Sequence, residues 1–225
     1  MDNSENKTKE FELDIAPSSF TSTPVATNLA LEFSAEGRSN NEMNPAQWKY
    51  GDIEASFERF AWSAADGWVE SDSGETVLRF LPKNKMIIPY QPFATDKRNT
   101  GYTIEFEMAT HNVKDYDSVV ISCVDEGRGF IVKSQSIVFK SEQSEEIIMM
   151  FKEDSRVRIT LTIEPQTLNR FIKLYANGIL CGIEQYKEND NFKQSKPQYI
   201  TIGSDTCGLD LYKIRFYNRN LSDEE

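Results

Sequence analysis

The chain has 225 residues, with 25 Lys and Arg against 36 Asp and Glu, for a formal net charge of −11. A charge of that sign repels a phosphate backbone, which excludes nucleic acid as a ligand class. No run is apolar for the length a membrane span requires, and the opening MDNSENKTKE lacks the basic start and apolar middle of a signal peptide. A soluble protein, made in a reducing cytosol with no membrane partner, is therefore expected.

Residues 1–27 are polar, and Ser, Thr and Pro crowd SSFTSTPVAT, a composition that buries too little apolar surface to offset its ordering entropy. They read as a flexible arm ahead of one domain over 28–225. Within the arm, KEFELDI (9–15) alternates like a strand and suits pairing with a partner chain or an edge of the domain.

From residue 28 onward the period is two nearly everywhere, the pattern of half-buried strands. LALEF opens it. GRSNNEMNPAQWKYGD (37–52) follows, with almost no aliphatic residue, and reads as a structured loop because strands finishing the same sandwich come after it. IEASFERF, TVLRFL and KMIIPY are the next strands. In GYTIEFEMA, Tyr102, Ile104, Phe106 and Met108 face one way, and Thr103, Glu105 and Glu107 the other. SVVISCV, GFIVKS, SIVFK and EEIIMMF lead to RVRITLTIE, where Val157, Ile159, Leu161 and Ile163 point inward. RFIKLYA and ILCGIEQY flank Asn177-Gly178, a dipeptide that favours a type I′ hairpin turn with positive φ at both positions. QYITIGS and LDLYKIRFY close the chain. Many short strands without interleaved helices predict an all-β fold, two antiparallel sheets packed as a β-sandwich.

The segment LYANGILCGIEQY and the closing QYITIGSDTCGLDLYKIRFYNRNLSDEE resemble the end of laminin G-like and concanavalin A-like jelly-roll domains. The residues that carry the likeness are Tyr175, Asn177, Gly178, Ile202, Gly203, Ser204, Arg215, Tyr217, Asn218, Arg219, Leu221 and Ser222. GRSNNEMNPAQWKYGDIEASFERFAW, DGW, GYTIEFEMA and VISCVDEGRGF look like the version of this domain in virion proteins of tailed bacteriophages, over about residues 28–220. The resemblance implies a tail or other structural protein of the virion, made in the host bacterial cytoplasm. Its partners would be other virion subunits or host-surface carbohydrate, and a homo-oligomer is compatible with that role.

Four aromatic residues, Trp48, Tyr50, Trp62 and Trp68, are the candidate ligand-binding set. Sugar rings stack their C–H faces on such side chains while neighbouring amides and acids bind hydroxyls. The competing reading, the commoner fate of large aromatics, is that they plug the end of the sandwich. Glu105 and Glu107 share one strand face, similar to the paired carboxylates of concanavalin A-like glucanases, but the third acid of that pattern would fall at Thr103 or Ala109. A face on which they meet Arg156 and Arg158 is the simpler account, and no catalytic residue is assigned.

His111 is the only histidine, so any Cys-His or Ser-His-Asp mechanism must use it, and no Gly-x-Ser-x-Gly elbow exists. Cys123, Cys181 and Cys207 are too few for a disulfide framework, and no second histidine or close cysteine pair offers zinc ligands. No cofactor is implied. Calcium, which some laminin G relatives hold at the rim, would need more oxygens than Asp125 and Glu126 in VDEGRGF or the pair Asp205 and Asp210 provide. The expectation is a non-enzymatic adhesion or assembly domain whose weak single sites act through many copies. A glycoside hydrolase using Glu105 and Glu107 is the alternative, and a spacer without ligand a third reading.

Overall fold

The computed structural model describes residues 27–89, 101–125, 128–140, 145–164, 169–187 and 199–222. The KEFELDI segment lies outside the described residues, as does most of the arm. Sixteen strands are described: β1 (Leu29–Ser34), β2 (Trp48–Tyr50), β3 (Ile53–Glu58), β4 (Gly67–Glu70), β5 (Thr76–Phe80), β6 (Lys85–Ile88), β7 (Tyr102–His111), β8 (Val119–Asp125), β9 (Arg128–Lys133), β10 (Ser136–Lys140), β11 (Glu145–Met150), β12 (Val157–Ile163), β13 (Asn169–Ala176), β14 (Ile179–Lys187), β15 (Ile200–Ile202) and β16 (Gly208–Tyr217). No helix occurs among the described residues, as the period-two pattern predicts. Two short strands were not separable in the sequence: β2 interrupts the long polar loop, and β4 carries the Trp of DGW.

All pairs are antiparallel. One sheet runs β14-β13-β12-β7-β16-β5-β4, with β1 also on β16; the other runs β11-β10-β9-β8-β15-β6-β3-β2. The layers bury Ile104, Phe106 and Met108 of β7, Ile159 and Leu161 of β12 and Leu211, Ile214 and Phe216 of β16 in one core with Met86, Ile88, Ile121, Val132, Ile137 and Ile202 of the second sheet. Each fully buried aliphatic or Phe contributes about 1.5–3 kcal/mol, which is why alternation over so many strands suffices to bring the sheets together.

The β13–β14 hairpin turns at Asn177 and Gly178, with φ of 51° and 80°, and the turn is fastened to β12. The Asn177 side-chain oxygen accepts from the Arg158 amide at 2.8 Å, and the Asn177 amide donates to the Arg158 carbonyl at 2.8 Å. A second backbone constraint sits at Gly203, after β15. Its φ of +112° favours glycine, and an added Cβ would collide with the Asn84 carbonyl oxygen.

The outer face of the first sheet departs from a solvated surface. Thr103 and Glu107 are buried although they point away from the core. The cause is an ordered sequence of side-chain partners across β7, β12 and β16, described below, which lie over one another and exclude water.

Candidate functional site

Residues 37–47 form a folded loop held by their own side chains. The Ser39 amide donates to Glu42 Oε1 at 2.7 Å, and the Arg38 guanidinium pairs with the same carboxylate at 3.0 Å. Arg38 also donates to the Gln47 carbonyl at 2.8 Å and lies over the Trp68 ring, 4.6 Å from its centroid. Trp68 returns the contact, its indole N–H donating to the Pro45 carbonyl at 2.8 Å. Asn40 then ties the loop to β4: its Oδ1 accepts from the Trp68 amide at 2.8 Å, and its Nδ2 donates to the carbonyls of Ser63 and Asp66 at 2.6 and 2.9 Å. The stretch is a shaped structure on the sandwich end, as its asparagine-rich turns suggest, and Met43 stands at its tip, 96% exposed.

The four candidate aromatics fall into two pairs. Trp48 and Trp68 are each only 4% exposed and belong to the core. Trp48 stacks on Phe33 at 4.8 Å between centroids and meets Trp68 edge-on at 4.9 Å. Tyr50 and Trp62 are both half-buried but lie apart: Tyr50 stands opposite Ile53 near the β2–β3 turn, and Trp62 sits at the rim beside Phe57 and Phe60. Trp62 stacks on Phe60 at 5.0 Å and meets Phe57 edge-on at 5.2 Å, while Phe60 meets the core at Phe80, 5.1 Å away. Each such pair contributes about 0.5–1.5 kcal/mol beyond its buried area, so the cluster is both core and rim.

An unusual backbone positions this rim. Arg59 and Trp62 have φ of 64° and 53°, a region that bulky side chains rarely adopt. Asp66, buried beneath them, offsets the strain by accepting from the Ala61 amide at 2.8 Å, the Ser63 amide at 3.1 Å and the Ser63 hydroxyl at 3.0 Å. Asn84 holds the other side, donating to the Arg59 carbonyl at 2.5 Å and accepting from the Leu81 amide at 2.6 Å. Gly67 is bare because a Cβ there would sit 2.7 Å from Trp62 Cε3 and 2.5 Å from Asn40 Oδ1. Strained conformations of this kind persist only where surrounding contacts over-determine them. On the opposite face of the β2–β3 hairpin from these rings, Lys49 and Glu54 pair at 2.8 Å. Half-open rings can stack on the apolar face of a sugar ring.

Elsewhere the candidate groups are engaged with one another. Glu107, whose side chain is 8% exposed, accepts from Arg156 Nε at 2.8 Å and pairs with its Nη2 at 2.6 Å; Arg156 also reaches Glu75 and lies 4.1 Å from the Tyr212 ring centroid. Glu105 accepts from the Tyr217 hydroxyl at 2.9 Å and lies 3.8 Å from Arg215, which pairs with Glu32 at 3.1 Å. Burial, reinforced by the Glu105 charge, pushes the Tyr217 hydroxyl up. Arg158 stands opposite Glu107 in register. A retaining hydrolase needs one carboxyl free to attack and another able to give a proton, whereas both of these serve as anchors for cations and a phenol.

His111 packs over Gly208, and its Nε2 comes within 3.3 Å of Asp210 Oδ1 without the alignment of a hydrogen bond. Asp210 is held on both oxygens by Arg79 at 2.7 Å. Burial pushes its carboxyl up, but the hydrogen bonding of Arg79 and the approach of His111 outweigh this and hold it below the usual value. Cys207 turns its thiol to the carbonyls of Gly208 at 3.1 Å and His111 at 3.7 Å, and burial pushes that thiol up to about 11. A thiol so protonated is no nucleophile. Asp205 pairs with Lys85 at 3.6 Å, a partner Asp210 does not share. Glu126 and Gly127 of VDEGRGF lie outside the described residues, and among the described residues no three of His, Cys, Asp and Glu gather as metal ligands.

Sequence reasoning passed over Arg38, Asn40, Asp66 and Asn84, the residues that shape the rim. Asparagine-rich turns were the only signal, and they named no partner.

No family model and no curated protein matches the chain. The fold is similar to that of several solved binding domains. The structure of botulinum neurotoxin type C, whose passage into cells depends upon interaction with two ganglioside molecules, superposes with a TM-score of 0.60 at 15% identity, over 88% of this chain and 49% of that one. The binding domain of botulinum neurotoxin DC, in complex with rat synaptotagmin II, gives 0.61 at 15% identity over 88% and 49%. The binding domain of Paraclostridial Mosquitocidal Protein 1 gives 0.60 at 14% identity over 88% and 50%. The chain thus spans about half the length of these proteins, and what it shares with them is an antiparallel β-sandwich of the jelly-roll kind.

Proposed function

We propose that this chain is a non-enzymatic binding domain that takes carbohydrate at the rim formed by Phe57, Phe60 and Trp62, with Tyr50 further along the same hairpin. The observation that carries this reading is Trp62, held half-open in a left-handed backbone conformation by the Asp66 network. Trp48 and Trp68 act from behind as the rigid support of the rim rather than as ligand contacts. The resemblance to tailed-phage virion domains supports placing the domain on a virion, where it would hold host-surface polysaccharide through many weak copies. The similar folds support binding in place of catalysis: two of those proteins are binding domains, botulinum neurotoxin type C interacts with two ganglioside molecules, and the type DC domain is in complex with rat synaptotagmin II.

Titration of the full chain with cell-surface polysaccharides, read by calorimetry and by tryptophan fluorescence, tests the proposal. Binding that is lost in Trp62→Ala with an unchanged melting temperature supports it. Absence of any sugar binding, together with tight binding to another virion subunit, would replace it with an assembly role. Release of reducing ends from polysaccharide, abolished by Glu105→Gln, would replace it with hydrolysis.

A further inference from the structure

Among the described residues the first sheet ends on β14, and residues 179–183 of that edge are apolar where edges are normally blunted by charge. Ile179, Leu180 and Ile183 are 49%, 43% and 51% exposed, within five residues of one edge strand. Register places Leu180 beside Tyr175 and Ile183 beside Lys173, and through Thr160 and Thr162 these continue to Glu105 and Thr103. Leu180 and Ile183 therefore stand on the outer face, the one otherwise tiled by polar groups. A bulge between Leu174 and Tyr175 inserts Cys181 between them. Met150 of β11, the edge of the second sheet, is exposed too.

We propose that residues 9–15 of this same chain, KEFELDI, dock along β14 as an added strand. Three arguments select this occupant. The segment alternates Phe11, Leu13 and Ile15 with Glu10, Glu12 and Asp14, so one face of an added strand supplies apolar side chains to lie beside Leu180 and Ile183 while the acidic side chains project from its opposite face. Main-chain pairing satisfies an edge that no described strand covers, the same device by which extended peptides join exposed sheets.

The tether is also long enough. Leu29 lies on one continuous rung with Tyr217, Thr103, Thr162, Lys173 and Ile183. Five steps to β14 and one beyond it, at about 4.8 Å each, come to roughly 29 Å. Pairing antiparallel to β14 ends the segment near Ile179 and adds about 14 Å along the strands, for a diagonal of roughly 32 Å. Residues 16–28 reach about 45 Å when extended, and Pro17 and Pro24 favour extension.

The test uses the full chain. Phe11→Asp, Leu13→Asp and Ile15→Asp together should leave the melting temperature of the sandwich nearly unchanged. They should raise amide exchange at residues 179–183 by about tenfold or more, because the added pairing is gone. The rate of Cys181 with a thiol reagent should rise in parallel, while the buried Cys123 and Cys207 serve as internal controls. In a separate full-length variant, Leu13→Cys should form a disulfide with Cys181 within one chain on mild oxidation. Unchanged exchange and thiol reactivity, a crosslink joining two chains, or a concentration-dependent dimer linked through Cys181 would each overturn the proposal, the last two in favour of a second copy at this edge.

Discussion

Replacing Asp66 by Ala removes the acceptor on which the rim backbone depends. Three donors lose their partner, the amides of Ala61 and Ser63 and the Ser63 hydroxyl, all within 3.1 Å of the carboxylate. Hydrogen bonds to a charged acceptor contribute about 1.5–3 kcal/mol each, but those sharing one carboxylate are not additive, and part of the loss returns as water reaches the loop; a net cost on the order of 3–4 kcal/mol follows. With a urea m-value of about 2 kcal/mol/M, the unfolding midpoint should fall by roughly 1.5 M. Asp66→Asn keeps one carbonyl oxygen and should lose about half as much. Tryptophan fluorescence should shift in native buffer, since Trp62 loses the contacts that hold its φ of 53°. A midpoint within about 0.3 M of the parent for Asp66→Ala would refute the reasoning and mean that ring packing alone positions the rim.

Trp68→Ala should cost about 3–5 kcal/mol in chemical denaturation, the expected loss for a large buried aromatic, and should free the Pro45 carbonyl and Arg38 along with it. Gly203→Ala should lower the melting temperature sharply, because at φ +112° its Cβ meets the Asn84 carbonyl; a variant that melts within a degree or so of the parent, well under the 2–4 °C that about 1 kcal/mol shifts a domain of this size, would contradict this. For Asp210, whose folded pKa is depressed, the associated stability is present above the unfolded value of about 4 and is lost as pH falls through the folded value. Thermal melts of the parent should therefore decline more steeply below about pH 4 than those of Asp210→Asn, and parallel curves would count against the Arg79–Asp210 contact as the cause.

The strand content and its hairpin were legible in the sequence because they rest on neighbours. Alternation exposes the inward faces of β7 and β12, and Asn177-Gly178 encodes its own turn through two positive φ angles. The placement of Trp48 and Trp68 was not legible to the same degree, since a tryptophan beside a loop has the same local signature whether it plugs the sandwich or greets a ligand. Asp66 and Asn40 were invisible for a stricter reason. Their partners are fixed by where distant strands meet, as when Asn40 reaches Trp68 and Arg79 finds Asp210 across 131 positions. Glu105 and Glu107 show the opposite error of scale: their outward direction follows from the period, but their covering follows from Arg215 and Tyr217 of β16 and from Arg156 just ahead of β12.

The pairing of β1 with β16 sets how the sandwich would respond to pulling. Leu29 lies against Tyr217, and the Asn218 amide donates to the Asn28 carbonyl at 2.8 Å, so the first and last strands leave the sheet side by side. Force applied through both flanks would separate these strands rung by rung, like a zipper, and each step breaks only one or two main-chain bonds. Outside that zipper, at its loaded end, Thr103 fastens the C-terminal flank by donating to the Arg219 carbonyl and accepting from the Leu221 amide, at 3.0 and 2.9 Å. The first mechanical event under load would be release of that clasp, and the core behind β7 would feel the strain only afterwards.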